Sequence, residues 1–386
     1  MAKNMNKIEK LIEELCPEGV EFKELGKIAK IKNGKDWKRL GEGNIPVYGT
    51  GGVMGYVDTS VYNKPTVLIP RKGSITNIFY LDEPFWNVDT IYYTEIDTMQ
   101  IVPKFFYYVI KNIDLEKLDT GSGRPSLTQA ILDRIQIPLP PILIQEEIVK
   151  ILDNFVELEA ELEAELEARK KQYEYYRGEF FNVKDVEYKT LGEIGSFLRG
   201  RRFVRTDIMT EGIPCIHYGE MYTHYNIWAE KSKSFLKPEL AKKLRFAHPG
   251  DVVIVAAGET VEDIGLGVAW MGNSDVVVHD ACFIFSHNLN PKYVSYFLRT
   301  RQFHSQIKRY ISSGKISSIN SNGLEKAKIP ILPLYEQERI VKILDKFDAL
   351  VNDISIGLPA ELSARRKQYE YYREKLLTFK EKPITA

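Results

Sequence analysis

The decapeptide ARKKQYEYYR at residues 168–177 returns as ARRKQYEYYR at 364–373, with Lys170 against Arg366 as the single difference. Identity over such a stretch reflects duplication, so any fold for this chain must hold two copies of one plan. Further anchors agree: VEFKELGKI (20–28) with VEYKTLGEI (186–194), and VPKFFYYVIK (102–111) with NPKYVSYFLR (290–299). LDRIQIPLPP (132–141) matches LEKAKIPILP (324–333), and QEEIVKILDNF (145–155) matches QERIVKILDKF (337–347). Residues 30–100 and 196–288 show little likeness, so the frame repeats and its filling does not.

Each half predicts a strand near Val20 or Val186, a loop rich in Gly and bases, and β-rich runs such as TVLIP (66–70) and DVVIVAA (251–257). A helix starts at the Pro-Lys steps 103 and 291, and a short helix follows with capping-box spacing at Ser126/Gln129 and Asn322/Glu325. The proline runs near Pro141 and Pro333 cannot continue a helix and act as rigid linkers. Beyond each linker an apolar seam predicts a long helix: Ile148, Ile151, Leu152, Phe155, Leu158, Leu162 and Leu166, then Ile340, Ile343, Leu344, Phe347 and Leu350. A stripe of that length needs a partner, and its own copy is the economical one. The first helix carries ELEA three times (157–168); each tetrad adds about 6 Å and turns the leucine by about 40°. A tetrad is therefore a unit of length. Gly357 and Pro359 predict a break in the second helix.

The reading is thus an α+β chain: two similar mixed α/β globular domains separated by two long antiparallel helices in a coiled coil, with an internal pseudo-twofold repeat. The boundaries expected are 1–143 for the N-terminal segment and first domain, 144–181 for the central helix, 182–335 for the second domain, and 336–380 for the C-terminal helix, broken at 357–359.

The 386 residues balance 53 bases against 53 acids. Residues 144–168 hold nine of the acids and one base, leaving 52 bases against 44 acids elsewhere, a segregation that allows positive surfaces on the globular parts. Cys16, Cys215 and Cys282 are too dispersed for a disulfide framework or a zinc ribbon, and no apolar run reaches membrane length, so the chain reads as cytoplasmic.

Catalytic signals are scarce. YGTGGVMGYV (48–57) has Met54 where the last Gly of GxGxxG belongs and reads as turns. All six histidines fall in the second half, which argues against a duplicated metal site, although His279, Asp280 and Cys282 stand together. Glu21/Lys23 and Glu187/Lys189 have the Glu-x-Lys form of Mg²⁺-dependent nucleases, but no further carboxylate precedes the first pair on an adjoining strand. Loop bases beside aromatics suit DNA better: Lys32, Lys35, Lys38 and Arg39 in the first half, Arg199, Arg201, Arg202 and Arg205 at the same point of the second, with Arg71, Lys72, Arg124 and Lys315 in other loops. Tyr173, Tyr176, Tyr369 and Tyr372 are candidates for contact with partner subunits.

The VE[FY]KxLGxI strand, the IPLPP or IPILP linker before QExIVxILDxF, the RxKQYEYYR tails and the tetrads together resemble the DNA-specificity subunit of type I restriction-modification systems over nearly the whole chain. The resemblance implies two target-recognition domains, each reading one half of a split, asymmetric site in double-stranded DNA, with helices that set the spacer. It also implies two methyltransferase subunits seated on the helices and restriction/translocase subunits in the same assembly. S-adenosylmethionine, ATP and Mg²⁺ are then expected in those partners, with no cofactor, metal site or catalytic residue in this chain. A helix from Ile142 to Arg177 would span about 50 Å, more than one DNA turn. The alternatives are a stand-alone Mg²⁺-dependent nuclease and a coiled-coil protein adaptor, and self-association of the isolated chain through exposed helix faces is a further expectation.

Overall fold

The computed structural model describes residues 2–119, 123 and 125–383, with side chains from Lys7 onward. The chain forms two compact units, one of Met1–Leu162 with Leu362–Ala386 and one of Glu163–Glu361. Each holds one mixed α/β domain and parts of two helices.

In the first unit a four-stranded sheet runs in the order Ala29–Asn33, Ile91–Ile96, Thr66–Pro70, Phe79–Leu81, and a three-stranded sheet in the order Gly52–Val57, Ile45–Gly49, Trp86–Asn87. The second unit has a five-stranded sheet, Gly195–Arg199, Cys282–His287, Val252–Val255, Gly267–Trp270, Trp228–Ala229, and a four-stranded sheet, Ser234–Leu236, Ile213–Ile216, Val276–Val278, Phe246–Ala247. The central strands Thr66–Pro70 and Val252–Val255 are buried at every residue, which is why both read as unbroken apolar runs rather than alternations. The unlike fillings therefore share one strand plan: a first strand, the strand before the helix, then a buried central strand. The Glu-x-Lys segments lie on small antiparallel ladders, Glu21–Glu24 with Gln136–Leu139 and Tyr188–Thr190 with Lys328–Pro330.

The joint between domain and long helix is duplicated in its main bonds, Gln145 alone adding a bond to the Gln100 carbonyl at 3.2 Å. Pro103 and Pro291 open their helices at the position where a missing N–H is harmless. The preceding backbone N–H, of Val102 or Asn290, donates to the side-chain oxygen of Gln145 or Gln337 at 2.8 Å. The amide nitrogen of each glutamine returns to a linker carbonyl, Pro140 at 2.7 Å and Leu332 at 2.8 Å. Both glutamines are buried, so each clamp supplies partners to backbone groups that water cannot reach. Two turns further on, Asp153 accepts from the Tyr108 hydroxyl and pairs with Lys104 at 2.7 Å, as Asp345 does with Tyr296 and Lys292.

Helix Ile142–Glu179 is continuous, about 57 Å long at 1.5 Å per residue. In the first unit Phe155 packs on Tyr369 and Tyr372, with ring centroids 6.1 and 5.6 Å away, and Glu159 pairs with Arg366 at 2.6 Å. One index rises as the other falls, so the helices run antiparallel. In the second unit Phe347 takes the place of Phe155, against Tyr173 at 6.3 Å and Tyr176 at 5.6 Å. Ile148, Ile151, Leu152, Phe155, Ile340 and Leu344 are buried, whereas Leu158, Leu162, Leu166, Ile343 and Phe347 are half-buried, so the seam thins through the tetrads. The second helical stretch is two helices, Leu334–Asn352 and Leu358–Leu377. A Cβ on Gly357 would lie 2.4 Å from the Ala349 carbonyl oxygen, so only glycine fits the turn between them.

The units differ in how the chain enters them. In the second, the tyrosine helix runs directly through Phe181 into the strand at Tyr188. In the first, the corresponding tail lies at the other end of the sequence: Leu376 and Leu377 join the core, and Val20 exchanges backbone hydrogen bonds with Lys380 and Lys382. The first unit is thus closed by non-covalent pairing where the second is closed by the chain itself. Its N-terminal helix Ala2–Leu15 is tied by Lys7 to Glu147 and by Glu9 to Lys375.

Two sequence expectations need correction. The caps at Ser126/Gln129 and Asn322/Glu325 do not form: the helices Gln129–Leu132 and Ser321–Glu325 begin after Thr128 and Asn320, and the Asn320 side chain accepts from Gly323 N–H. The spacing rule found residues of the right type two positions off, early in the first copy and late in the second. Among the tyrosines, Tyr173 is buried and bonds Asp348 at 3.1 Å, and Tyr369 and Tyr372 pack on Phe155. Tyr176 lies against Phe347 yet stays partly exposed, while the rings turned fully outward are Tyr175 and Tyr371, 62% and 61% exposed at equivalent positions.

Candidate nucleic-acid interface

Both basic loops begin at a glycine pressed against backbone. A Cβ on Gly34 would stand 2.0 Å from the Val88 carbonyl oxygen, and one on Gly200 would stand 2.2 Å from that of His279. The next residue then donates its N–H across, Lys35 to Asn87 and Arg201 to Val278. Any larger side chain would push the basic loop off the domain, so these glycines fix where it sits.

Within the first loop, Trp37 lies over Gly55, where a Cβ would come within 2.8 Å of its ring, and the Trp86 indole N–H donates to the Lys35 carbonyl at 3.0 Å. Lys35, Lys38 and Arg39 are exposed. Lys32 is not free: it lies on strand Ala29–Asn33, 3.5 Å from Glu95. Arg71 is half-buried, donating to the Asp89 carbonyl at 3.4 Å and lying over the Tyr92 ring, while neighbouring Lys72 is exposed. Arg124 lies outside the described residues. YGTGGVMGYV is the hairpin Ile45–Gly49 to Gly52–Val57, with Gly52 at φ +103 in the turn.

The second loop divides similarly. Arg199 donates to the Asp280 carbonyl at 2.8 Å and Arg201 to that of Lys243 at 2.8 Å, so both guanidiniums are engaged by the fold. Arg202, Arg205 and Lys315, all exposed, line a cleft of about 1190 Å³ together with Phe203, Tyr218, Lys233 and two histidines. Sequence reasoning missed Lys233, Tyr218 and His217, because nothing local marks residues that reach one cleft from separate strands. His279 donates from Nε2 to the Phe203 carbonyl at 3.0 Å, and burial holds its imidazole below the usual range.

Burial pushes the Cys215 and Cys282 thiols up to about 12, so neither is a thiolate nucleophile at neutral pH. Glu21 lies 3.5 Å from Lys23, which also donates to Gln100, and Glu187 lies 3.5 Å from Lys189. No cluster of three His, Cys, Asp or Glu suited to a metal occurs among the described residues.

Two sheet-built domains, each presenting a basic loop and each clamped to a helix pair, define a duplicated nucleic-acid-reading protein. The type I restriction modification DNA specificity domain matches twice, at residues 17–168 and 183–364, and the chain belongs to that family. It is 32% identical to a putative type I restriction enzyme specificity subunit of Haemophilus influenzae, over 98% of this chain and 100% of that one. It is 34% identical to the EcoR124I/EcoR124II specificity subunit of Escherichia coli, over 76% of this chain and 74% of that one. Among solved structures, the S subunit of a type I restriction-modification system from M. genitalium matches with a TM-score of 0.55 at 17% identity, covering 93% of this chain and 96% of the other. A chain of another type I assembly matches with a TM-score of 0.63 at 14% identity, covering 93% and 97%. At such identities the likeness is one of fold. The protein is therefore a non-catalytic specificity subunit; the nuclease and adaptor readings gain no support from these relatives.

Proposed function

We propose that each mixed α/β domain reads one half of an asymmetric two-part site in double-stranded DNA, and that the helices set the gap between halves and seat two methyltransferase subunits. Restriction/translocase subunits complete the assembly; S-adenosylmethionine, ATP and Mg²⁺ act in those partners, in the cytoplasm. No helix among the described residues is long and apolar enough to cross a membrane. The observation that carries this reading is the pairing of duplicated joints, Gln145 and Gln337, with unlike faces on one strand plan. Identical mounts call for repeated partners, and unlike faces call for different half-sites. The exposed bases Lys35, Lys38, Arg39 and Lys72 in one domain, and Arg202, Arg205 and Lys315 in the other, are assigned to phosphate and base-edge contact. The outward rings Tyr175 and Tyr371, at equivalent points of the helices, suit the repeated protein partner.

The tetrads supply the test. Removing one ELEA from 157–168 should shorten the preferred gap by about two base pairs, one tetrad being about 6 Å against 3.4 Å per step. Both half-site sequences should be retained. Methylome sequencing of cells carrying each version reads halves and gap together, and an unchanged gap would defeat the spacer assignment.

A further inference from the structure

The cleft of the second unit holds one ring donor that the fold leaves unclaimed. Strand Ile213–Ile216 runs parallel to Val276–Val278, with Ile216 opposite Val278, so His217 and His279 leave the sheet side by side with ring centroids 4.8 Å apart. Tyr218 closes the group at 4.6 Å from His217. The backbone around His217 is fixed: its N–H donates to buried Glu220 at 3.0 Å, and Glu220 is held in turn by the Ser234 hydroxyl. Nδ1 of His217 accepts the Gly219 N–H at 3.3 Å. The hydrogen-bond network therefore assigns the ring proton to Nε2. Burial and Arg205 favour the neutral form, against Glu220. The Nε2–H has no partner among the described residues and lies in a cleft rimmed by Arg202, Arg205, Lys233 and Lys315.

The duplication provides a control inside the molecule. Strand Ile45–Gly49 runs parallel to Trp86–Asn87 with Tyr48 opposite Asn87, and Val88 N–H bonds the Tyr48 carbonyl as His279 N–H bonds that of Ile216. Gly49 thus stands where His217 does, and a Cβ there would come within 2.4 Å of the Met54 sulfur. The first domain has no side-chain donor at this point, and the Met54 thioether occupies the space.

We propose that the second domain's cleft receives the major-groove edge of a purine and that His217 is a specificity-determining residue, its Nε2–H donating to purine N7. This rests on the reading of the domains as DNA half-site readers. Purine N7 is an acceptor that pyrimidines lack, and a single fixed donor flanked by phosphate-binding cations selects purine over pyrimidine without separating adenine from guanine. Once DNA covers the half-buried ring, a cytosine at this point offers only its N4 amine, a donor, and a thymine only its O4, set away from the N7 position, so a pyrimidine leaves the Nε2–H without a well-placed acceptor.

The full chain, assembled with its methyltransferase subunit, is used to select duplexes from a random-sequence library. His217→Phe keeps a ring against Tyr218 and His279 and removes the donor. Wild type is expected to yield a two-part motif in which one half carries a purine preference that falls roughly tenfold in the variant, while the other half is retained. The selected duplex remade with a 7-deazapurine at that position should bind wild type roughly tenfold more weakly and should leave the variant's affinity unchanged. A variant motif equal to the wild type's, or a scan of 7-deazapurines across that half without effect on wild-type binding, overturns the proposal; the scan decides even if the variant misfolds. A wild-type selection with no two-part motif defeats the half-site reading itself.

Discussion

At the joint the two units are interchangeable: Gln145, Lys104, Tyr108 and Asp153 make the bonds that Gln337, Lys292, Tyr296 and Asp345 make. At the face they are not, since Gly49 and Val88 stand where the second unit has His217 and His279. The difference shows which part of a duplicated protein is constrained by its neighbours. The polar side chains of the joint are bonded within the unit, so a change on one side must be answered on the other; the face is bounded by solvent and can diverge at less cost to the fold.

The largest effect should come from breaking the joint. Gln145→Leu removes the acceptor of the Val102 N–H and the donor to the Pro140 carbonyl at a buried site, and should cost the first unit about 3 kcal/mol. Gln337→Leu should cost the second unit a similar amount through Asn290 and Leu332. Native-state hydrogen exchange resolved by unit checks this, and unequal costs would mean that matching geometry hides unequal joints.

Acid should separate the units next, because all six histidines lie in the second. Burial holds His287 down to about 4, with its Nε2 enclosed and unpartnered. Between pH 6.5 and 4 the unfolded chain binds a proton that folded His287 refuses, so stability is full above 6.5, falls as pH drops, and levels off near 4. By pH 5 this amounts to at most about 2 kcal/mol. His217, His279 and His304, also lowered by burial, act in the same sense; exposed His248, raised by Asp275, acts in the opposite one. Exchange protection of the second unit should therefore fall from pH 7.5 to 5.0 while that of the first holds, and His287→Phe should flatten most of the slope. Equal acid sensitivity of the two units would refute the assignment.

The same contrast explains what could be read beforehand. The joint was legible as text because its residues are retained in both copies, although the letters alone did not show Gln145 clamping the Val102 N–H, or Lys104 and Tyr108 meeting Asp153. The strand plan was less legible: Thr66–Pro70 and Val252–Val255 share complete burial and no sequence, since a core asks for volume and not for particular residues. The cleft was legible only in fragments: Arg202, Arg205, Lys315, His279 and Asp280 stood out singly, but not as one lining. Its lining includes residues 202–205, 217–220, 233, 279–281 and 315, brought together by the pairing of Ile213–Ile216 with Val276–Val278 and with Ser234–Leu236, and of Ala257–Gly258 with Ser317–Ser318.

The smallest expected effect concerns charge. Arg202 and Arg205 are exposed at the cleft, whereas Arg199 and Arg201 spend their guanidiniums on the carbonyls of Asp280 and Lys243. If the first pair meets phosphates, Arg205→Ala should lower DNA affinity alike for all sequences and reduce the slope of log affinity against log salt by about 0.9, one released counterion. Arg199→Ala should leave that slope unchanged and lower the stability of the second unit instead, since it strips a charge-assisted bond that positions Gly200 and the loop behind it. In the first unit Lys38→Ala should behave as Arg205→Ala does, and Arg71→Ala as Arg199→Ala does. A slope that responds to Arg199 and Arg71 but not to Arg205 and Lys38 would place the DNA on another face of both domains, and would do so in two copies at once.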